Sequence, residues 1–460
     1  MHQNLKKARD YIKDNLSKVD ISNRDIYHFT PRVGWINDPN GFSFYKGKFN
    51  LFFQHYPYDT KWGRMHWGHA ISDDLIMFKE QEIAMAPTEH YDEDLGCFSG
   101  SAIVKDDKLY AIYTGVGDNY LQSQNLAYLE GDELIKYKNN PIIPLTKFDD
   151  SFDKTNIRDP YVIKKDDQYY IFVGAKKKNN DASICLFSSK DLYSWNFVNE
   201  IYVRKNNNGM LECPSVAFFK DKMVLFCSPQ EHKSNLIDEN QNPCSSMYMV
   251  GQMDFKKGIF TPETDFIELD KGFDFYAPQV LTHEDKVYLI GWMNMWDKAY
   301  PFTNEGYAGK MTIVKELSLK DNHIYQRFTS SLAKYEKGLL DEKKDIVKKN
   351  IFLNSPCRID LIIEGAINFE IEQDGKTYFK IIHEKDNLLK IQRKTNTNIE
   401  EHYVSLKNGH LEIFIDINSI ELLIDDGFSS FACNLFTHLK QYEIKLSSDK
   451  LIKKLKMFKY

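Results

Sequence analysis

The chain has 460 residues, of which 14% are aromatic and 27% are charged, and its formal net charge is −6. This length exceeds what one ordinary hydrophobic core supports and predicts two domains. The modest charge argues against a nucleic-acid or membrane-surface partner, and no apolar run approaches the length of a membrane span.

Two features of the sequence bear on the compartment. The first residues, Met1 to Lys7, contain no apolar stretch of the kind found in secretion signals, so we expect none to be present. The cysteines are odd in number, scattered and without a Cys-x-x-Cys pair, which favours reduced thiols. They are Cys97, Cys185, Cys213, Cys227, Cys244, Cys357 and Cys433. We therefore expect a cytoplasmic protein.

Residues 1–24 are expected to form a helical leader. Apolar side chains recur there at helical spacing among Lys and Asp, which predicts a short amphipathic helix packed on the outside of the following domain. They are Leu5, Ala8, Tyr11, Ile12 and Leu16.

Residues 25–326 contain five hairpins of one design, each an apolar strand, a short turn of Lys, Asp or Gly, and a second apolar strand. The last turn residues are Lys48, Lys108, Gln168, Lys222 and Lys286, so successive hairpins are 60, 60, 54 and 64 residues apart. An all-β period of this length indicates radial repetition. We therefore predict a five-bladed β-propeller over residues 25–326.

Counting back nine or ten residues from these turns reaches the start of each first strand. The positions are Asp38, Phe98 with Ser99, Asp159, Glu212 and Tyr276. If the first strand of each blade is the innermost, all five positions lie around one end of the axial channel. The spacing therefore predicts that three carboxylates converge on one pocket.

The composition and the hydrophobic pattern of the sequence change after residue 326. Residues 327–349 are rich in Lys and Glu and are expected to form a linker. From residue 350 to 460, alternating strands such as 359–363 and 411–416 are joined by hairpin turns such as Asp425-Asp426-Gly427. This pattern predicts a β-sandwich.

Two carboxylates that face one bond are the minimum equipment for glycoside hydrolysis, one as nucleophile or base and the other as acid. A third can orient hydroxyl groups and stabilise positive charge in the transition state. Flat rings for sugar faces are available at Trp35, Trp62, Phe98 and Trp292. We expect no cofactor and no metal, because no metal-ligand spacing accompanies the carboxylates. His55, His66 and His69 are expected to be structural.

The motifs together resemble glycoside hydrolase family 32, which includes invertases, sucrose-6-phosphate hydrolases and fructanases. The resemblance begins with His28-Phe29-Thr30-Pro31 and Trp35-Ile36-Asn37-Asp38-Pro39-Asn40-Gly41. It continues through Gln54, Trp62-Gly63, Met65-His66-Trp67-Gly68-His69, Phe98-Ser99-Gly100, Arg158-Asp159-Pro160, Glu212-Cys213-Pro214, Tyr276-Ala277-Pro278 and Gly291-Trp292-Met293. The strands near residues 411–424 resemble the family's second domain.

The resemblance implies a five-bladed propeller with a C-terminal β-sandwich, and it implies roles for particular residues. Asp38 would be the nucleophile on C2 of a β-fructofuranosyl unit and Glu212 the acid and then the base. Asp159, beside Arg158, would hold fructose hydroxyls. The sugar subsite would be lined by Trp35, Asn37, Gln54, Trp62, Phe98, Ser99, Tyr276 and Trp292. Glu212 must hold a proton near neutral pH while Asp38 stays ionised, and we expect backbone N–H donors at its turn to hold Asp38 in that form.

The sequence departs from the family pattern at two places. Family members are expected to carry Pro where Arg64 stands and Pro-Arg where Val314-Lys315 stand. Arg64 and Lys61 lie in a loop near the expected pocket mouth, where a cation can meet a substrate phosphate. A surface arginine without a role is equally compatible with the sequence.

The expected partner is a small sugar. Without a secretion signal, an imported substrate such as sucrose 6-phosphate is favoured, and free sucrose or a short fructo-oligosaccharide is the close alternative. A fructosyltransferase would use the same residues. A non-catalytic glycan-binding propeller is a remote alternative, because all three carboxylates are present.

Overall fold

The computed structural model describes residues 2–232, 234–383 and 387–460, and most of these residues form β-strands. Helix α1 (Gln3–Asn15) forms at the start because Leu5, Ala8 and Ile12 recur at helical spacing and are buried on one face. The side chain of His2 caps its first turn by accepting the Asn4 N–H at 3.2 Å. The helix predicted for the leader is therefore confirmed. Within the described residues, no helix is long and apolar enough to cross a bilayer.

Five small sheets follow, and in each the hairpins pair antiparallel. The first contains β1 (Gly34–Tyr45), β2 (Lys48–Tyr56), β3 (His66–Ser72) and β4 (Lys79–Glu80), and the second β5 (Gly96–Lys105), β6 (Lys108–Gly117), β7 (Leu121–Glu130) and β8 (Glu133–Lys136). The third contains β9 (Phe152–Lys165), β10 (Gln168–Lys177), β11 (Ala182–Ser189) and β12 (Asn196–Arg204). The fourth contains β13 (Leu211–Phe219), β14 (Lys222–Pro229), β15 (Met247–Asp254), β16 (Ile259–Pro262) and β17 (Ile267–Glu268).

The fifth sheet is built from β18 (Tyr276–His283), β19 (Lys286–Trp292), β21 (Lys315–Lys320) and β22 (His323–Phe328). Between its second and third strands the chain leaves to form β20 (Tyr307–Ala308), which pairs parallel with β1 in the first sheet. Short 3-10 helices lie at Leu16–Lys18, Leu145–Lys147, Pro301–Glu305 and Ser330–Tyr335.

All five hairpins form at the predicted turns. In each, the last turn residue found in the sequence is the first paired residue of the second strand, as in Tyr45 with Lys48 and His283 with Lys286. Left-handed backbone at Asp106 and Asp107 suits the tight two-residue turn, which requires positive φ.

The first strands of the five sheets contact one another in a ring. Strand β1 contacts β5 and β18, β9 contacts β5 and β13, and β13 contacts β18. The interfaces between sheets are filled by buried apolar side chains, so the first strands lie at the centre of this part of the molecule.

The remaining strands form two six-stranded sheets that share one buried apolar core. The strands are β23 (Gly338–Lys343), β24 (Ile346–Leu353), β25 (Cys357–Ile362), β26 (Ile367–Gln373), β27 (Lys376–His383), β28 (Leu388–Lys394), β29 (Ile399–Ser405), β30 (His410–Ile415), β31 (Ser419–Ile424), β32 (Ser429–Asn434), β33 (Tyr442–Ile452) and β34 (Lys454–Lys459). One sheet has the order β23-β34-β25-β30-β31-β32, and the other β24-β33-β26-β27-β28-β29.

The linker expected over residues 327–349 is wrong for its second half. Strand β23 and the first half of β24 lie inside it, and they pair with β34 and β33. Each is the edge strand of its sheet, and most side chains of β23 and half of those of β24 are exposed. The Lys-rich and Glu-rich composition therefore reflects solvated strand edges and not an unstructured connection.

Buried ion pairs join the five-sheet part to the two six-stranded sheets. The ring nitrogens of His28 lie 3.0 Å from Asp416 and 3.1 Å from Glu421. Lys315, which belongs to the second of the two places at which the sequence departs from the family pattern, contacts Glu421 at 2.6 Å. Because these side chains are almost completely buried, each charge depends on its partner across the interface.

Candidate active site

Each of the five first strands carries a β-bulge at the same place. The regular pairing of β1, β5, β9, β13 and β18 is interrupted over two residues. A bulge bends a strand and re-aims its side chains, and it tolerates proline because the ladder is already broken there. The interrupted pairs are Asn37-Asp38, Phe98-Ser99, Asp159-Pro160, Cys213-Pro214 and Ala277-Pro278. These are the positions that counting back from the turns predicts, or their immediate neighbours.

Asp38 accepts hydrogen bonds from side chains on three different strands. Ser99 Oγ donates to Oδ2 at 2.6 Å, Asn37 Nδ2 donates to Oδ1 at 3.0 Å, and Cys213 Sγ lies 3.6 Å from Oδ2. Trp35 Nε1 in turn donates to Asn37 Oδ1 at 2.9 Å, which orients the amide. The carboxylate is thus held in one orientation by its neighbours.

The donors to Asp38 differ from those expected. We expected backbone N–H groups of the turn, whereas the donors found are the side chains of Ser99, Asn37 and Cys213. Burial raises the pKa of Asp38, and the neighbouring charge of Glu212 raises it further, while the donors act in the opposite direction. The ionised form of Asp38 therefore depends on these side chains.

Glu212 is held by two residues that were expected to contact substrate. Arg158 donates to Glu212 Oε1 from Nε at 3.1 Å and from Nη2 at 2.7 Å, and Tyr276 Oη donates to Oε2 at 2.6 Å. Burial raises the pKa of Tyr276 far above its usual value, so its hydroxyl remains a donor. Arg158 and Tyr276 therefore hold the carboxylate of Glu212 in place.

Asp159 is the most buried of the three carboxylates, with 6% of its surface exposed. Its Oδ2 accepts the Cys213 backbone N–H at 3.0 Å, and Cys213 Sγ lies 3.7 Å away. Burial raises the pKa of Asp159 to about 7, opposed by Arg158 and reinforced by Glu212 and Asp38. Cys213 thus touches Asp38 and Asp159 at once and follows Glu212 in the chain, so all three carboxylates meet around it.

The space on the inner side of the carboxylates is closed. A cavity of about 10 Å³ is lined there by the bulge prolines together with Asp159 and Cys213. This volume is barely enough for one water molecule. A sugar does not fit into this space, and we infer that it approaches the carboxylates from the side on which the aromatic side chains lie.

One side of that opening is a cluster of three tryptophans. Trp35 packs against Trp292 at 5.7 Å between ring centroids and stacks with Trp296 at 6.1 Å and 27°. Trp292 is 0% exposed whereas Trp296 is 44% exposed. Trp292 was expected to present a ring to the sugar, but it is buried because Trp35 and Trp296 cover it. Trp296 was missed in the sequence, although its position four residues after Trp292 was a visible signal.

The other side of the opening is formed by Trp62 and Phe98. Their rings meet edge to face at 6.1 Å, and Trp62 is 39% exposed. Phe98 directly precedes Ser99, the donor to Asp38, so this wall is connected to the carboxylates. Gln54 is buried and donates to the Cys97 carbonyl at 2.9 Å, and this contact holds the strand that carries Ser99.

The three histidines of the first sheet are buried and serve the fold. His55 and His66 hydrogen-bond the carbonyls of Val33 and Arg64 at 3.0 and 2.9 Å. His69 hydrogen-bonds the side chain of Asn50 at 2.9 Å. Burial lowers the pKa of His55 to about 4 and that of His66 to about 3, which suits neutral structural histidines.

Three carboxylates held by hydrogen bonds at the bottom of an aromatic-walled opening are the equipment of a glycosidase. A family model described as "Glycosyl hydrolases family 32 N-terminal domain" matches residues 28–327. The chain belongs to glycoside hydrolase family 32 and is a glycosidase of the β-fructofuranosidase type.

Relatives match over nearly the full chain. The sucrose-6-phosphate hydrolase of Escherichia coli is 30% identical over 445 residues and that of Bacillus subtilis 29% over 451, covering 91% and 92% of this chain and 91% of each relative. A solved sucrose-6-phosphate hydrolase of Lactobacillus gasseri superposes with a TM-score of 0.88 at 25% identity, covering 100% of this chain and 99% of that one. The family 32 β-fructofuranosidase of Bombyx mori has a TM-score of 0.89 at 28% identity, with coverages of 99% and 97%.

Proposed function

We propose that this protein is a retaining β-fructofuranosidase that hydrolyses the fructosyl bond of sucrose 6-phosphate in the cytoplasm. The single observation that carries the proposal is the meeting of Asp38, Asp159 and Glu212 around Cys213. Glycoside cleavage needs an anionic group and an acid on either side of one bond, and the third carboxylate offers an acceptor for sugar hydroxyls.

The reaction would proceed in two displacements. Asp38 Oδ attacks C2 of the fructosyl unit while Glu212 transfers its proton to the glycosidic oxygen, so the C2–O bond breaks and the glucosyl product leaves. Glu212, now a carboxylate, takes a proton from water, and the water oxygen attacks C2 and releases Asp38. Asp159 would hold fructose hydroxyls and stabilise positive charge on the sugar. Retention at C2 follows from the two inversions.

The remaining residues would shape the sugar subsite. Trp35, Trp62, Phe98 and Trp296 would offer ring faces to the sugars, and buried Trp292 would support them from behind. Asn37, Gln54 and Ser99 would keep the carboxylates and their strands in place and lie within reach of sugar hydroxyls, as would Arg158 and Tyr276 beside Glu212.

The choice of sucrose 6-phosphate rests on the names of the relatives that match over nine-tenths of the chain. Free sucrose or a short fructo-oligosaccharide is the alternative substrate, and a variant of the Bombyx mori enzyme has been solved in complex with sucrose. A fructosyltransferase would use the same first displacement with a sugar hydroxyl in place of water.

We propose that the five small sheets are the blades of a five-bladed β-propeller over residues 25–326, and that residues 338–460 form a β-sandwich. The ring of contacts among β1, β5, β9, β13 and β18 supports five blades around one axis. The shared core of the two six-stranded sheets supports the sandwich.

The function is tested with Asp38→Asn and Glu212→Gln, assayed on sucrose and sucrose 6-phosphate. Each substitution removes a reacting group without changing side-chain size, so kcat should fall by about 10³-fold or more while circular dichroism shows that the protein remains folded. Asp107→Asn, at a hairpin turn far from the site, is the matched control. Turnover within tenfold of wild type in either variant would overturn the assignment, and NMR of the first-formed fructose anomer tests retention.

A further inference from the structure

A separate cavity of about 410 Å³ lies between helix α1 and the loop that joins β2 to β3. It is lined by Asn4, Lys7, Tyr56, Tyr58, Arg64, His66 and Pro87. Helix α1 is fixed against this loop, because Tyr11 Oη donates to the Tyr58 carbonyl at 3.1 Å and Asn4 Nδ2 donates to the Pro87 carbonyl at 2.8 Å. The position of Lys7 above the loop is therefore set by the fold.

The charge in this cavity has one sign. Lys7 and Arg64 are cationic, and no acidic side chain is among the described residues that line the cavity. Lys7 Nζ lies 5.7 Å from the centre of the Tyr58 ring, and within the described part of the chain the guanidinium of Arg64 has no carboxylate partner. The larger cavities at the surface differ, since acidic residues such as Glu412 and Glu443 line them.

Two residues of the cavity, Tyr56 and Arg64, are close in the fold or in the chain to residues of the candidate active site. Tyr56 is paired with Trp35, whose indole orients Asn37 and through it Asp38. One strand spacing and three residues along β1 place Tyr56 on the order of 10 Å from Asp38. On the other side, Arg64 lies two residues after Trp62 in the loop.

We propose that this cavity is the subsite for the phosphoryl group of a phosphorylated disaccharide, with Arg64 and Lys7 as its anion-binding residues. The inference rests on the proposed function and names the part of the substrate that this chain selects. A phosphate monoester carries up to two negative charges and three acceptor oxygens, which match the planar guanidinium of Arg64 and the ammonium of Lys7. The hydroxyls of Tyr56 and Tyr58 are further donors on the cavity wall.

The second cation beside Arg64 is Lys7 and not Lys61, the residue that the sequence suggested. Lys61 lies in the same loop, but it is exposed and does not line the cavity. Lys7 is 57 positions before Arg64 in the chain and reaches the cavity only because α1 packs against the loop. The N-terminal helix would therefore contribute directly to substrate choice.

The test compares Arg64→Gln and Lys7→Gln with two matched controls, Lys61→Gln in the same loop and Lys13→Gln on an exposed position of the same helix. Each cavity variant should lower kcat/KM for sucrose 6-phosphate by roughly tenfold and leave kcat/KM for sucrose within twofold. The controls should change neither value. Equal losses on both substrates, or no loss on the phosphorylated one, would overturn the inference.

A binding measurement separates this inference from the proposed function. Glucose 6-phosphate, titrated calorimetrically into wild type, should bind more tightly than glucose, and Arg64→Gln should remove most of that difference. Hydrolysis of sucrose without any preference for glucose 6-phosphate over glucose would refute the subsite alone. Failure to hydrolyse either disaccharide would refute the function, and the titration would still decide whether the cavity binds phosphate.

Discussion

The hydroxyl of Tyr276 illustrates how much of the site depends on single donors. It is buried and donates to Glu212 Oε2 at 2.6 Å. Tyr276→Phe should therefore reduce kcat by roughly tenfold, because Glu212 loses one of its two holding residues. Tyr110→Phe, which removes a hydroxyl contact to Tyr193 outside the site, is the control. Steady-state kinetics on sucrose would measure both, and an unchanged kcat in Tyr276→Phe would contradict a positioning role.

The ionisation of Asp159 should make kcat/KM depend on pH near neutrality. Burial raises the pKa of Asp159 to about 7, and its proposed role needs the ionised form. We therefore expect kcat/KM to rise with pH and to level off above about pH 7. Asp159→Asn should lower the plateau by 10²-fold or more and remove this ionisation from the profile. An unchanged acidic limb in that variant would assign the limb to another group.

The raised pKa of Asp159 also predicts that the folded state loses stability as pH rises. A carboxyl with a raised pKa stabilises the fold fully below its unfolded value of about 3.9, and this contribution is lost as pH rises through about 7. Asp159→Asn should consequently melt at a higher temperature than wild type at pH 8, with a smaller difference at pH 5. A thermal scan at both pH values tests this expectation, and the opposite order would contradict it.

At the residue level, the predicted convergence of the three carboxylates agrees with their positions around Cys213, whereas several of their contacts differ from those expected. Repeat spacing located Asp38, Asp159 and Glu212 because a bulge recurs at the same place in each sheet. The donors Ser99 and Cys213 to Asp38 and the packing of Trp35 on Trp292 could not be predicted, since they depend on contacts more than 50 positions apart. Trp296 was within reach, because a second tryptophan beside Trp292 is a visible aromatic cluster.

At the scale of elements, the hairpins were predictable because their turns are local. Two-residue turns demand particular residue types, and these recur at a constant distance from the bulges. Strands β23 and β24 were not predictable by the same means, because edge strands with solvent on most sides lack an alternating apolar pattern.

Helix α1 offers a test of how one element contributes to the whole. Ile12 is buried at 2% exposure between the helix and the first two sheets. Ile12→Ala should destabilise the docked helix by about 2–4 kcal/mol, and trypsin should then cut faster after Lys13 and Lys18. Sucrose hydrolysis should persist, because the helix does not touch the carboxylates. Gln3→Ala, at an exposed position of the same helix, is the control because it leaves both cleavage sites intact, and equal cleavage rates in the two variants would contradict local docking.

At the scale of the whole molecule, the interface between the five small sheets and the two large ones is electrostatic at its centre. Contacts with Asp416 and Glu421 raise the pKa of His28 to about 9, against the effect of burial, which lowers it. Asp25, Lys310 and Lys315 also face this group. The charged histidine lies between two carboxylates and offsets part of their negative charge at the interface.

His28 should therefore make stability fall at alkaline pH. Its folded pKa is raised above the unfolded value of about 6.5, so its contribution is complete below pH 6.5 and is lost as pH rises through about 9. His28→Gln should lower the free energy of unfolding by about 3 kcal/mol at pH 6. It should also reduce the loss of stability that wild type shows as pH rises through about 9. His410, whose pKa is also raised to about 9 by Asp360 and Asp426, would account for any remaining slope, and His410→Gln is the companion variant.

The parallel pairing of β20 with β1 has a consequence for synthesis on the ribosome. Strand β1 carries Asp38, yet its sheet is complete only when residues 307–308 have been made, and the backbone N–H groups of Ile26 and Tyr27 wait for Asp416, about 390 positions later. At about 5–20 residues per second, the interval between the synthesis of Ile26 and that of Asp416 is roughly 20–80 s. The nascent chain therefore carries the strand with Asp38 in an unfinished sheet, and we expect this β edge to be a site at which ribosome-associated chaperones bind.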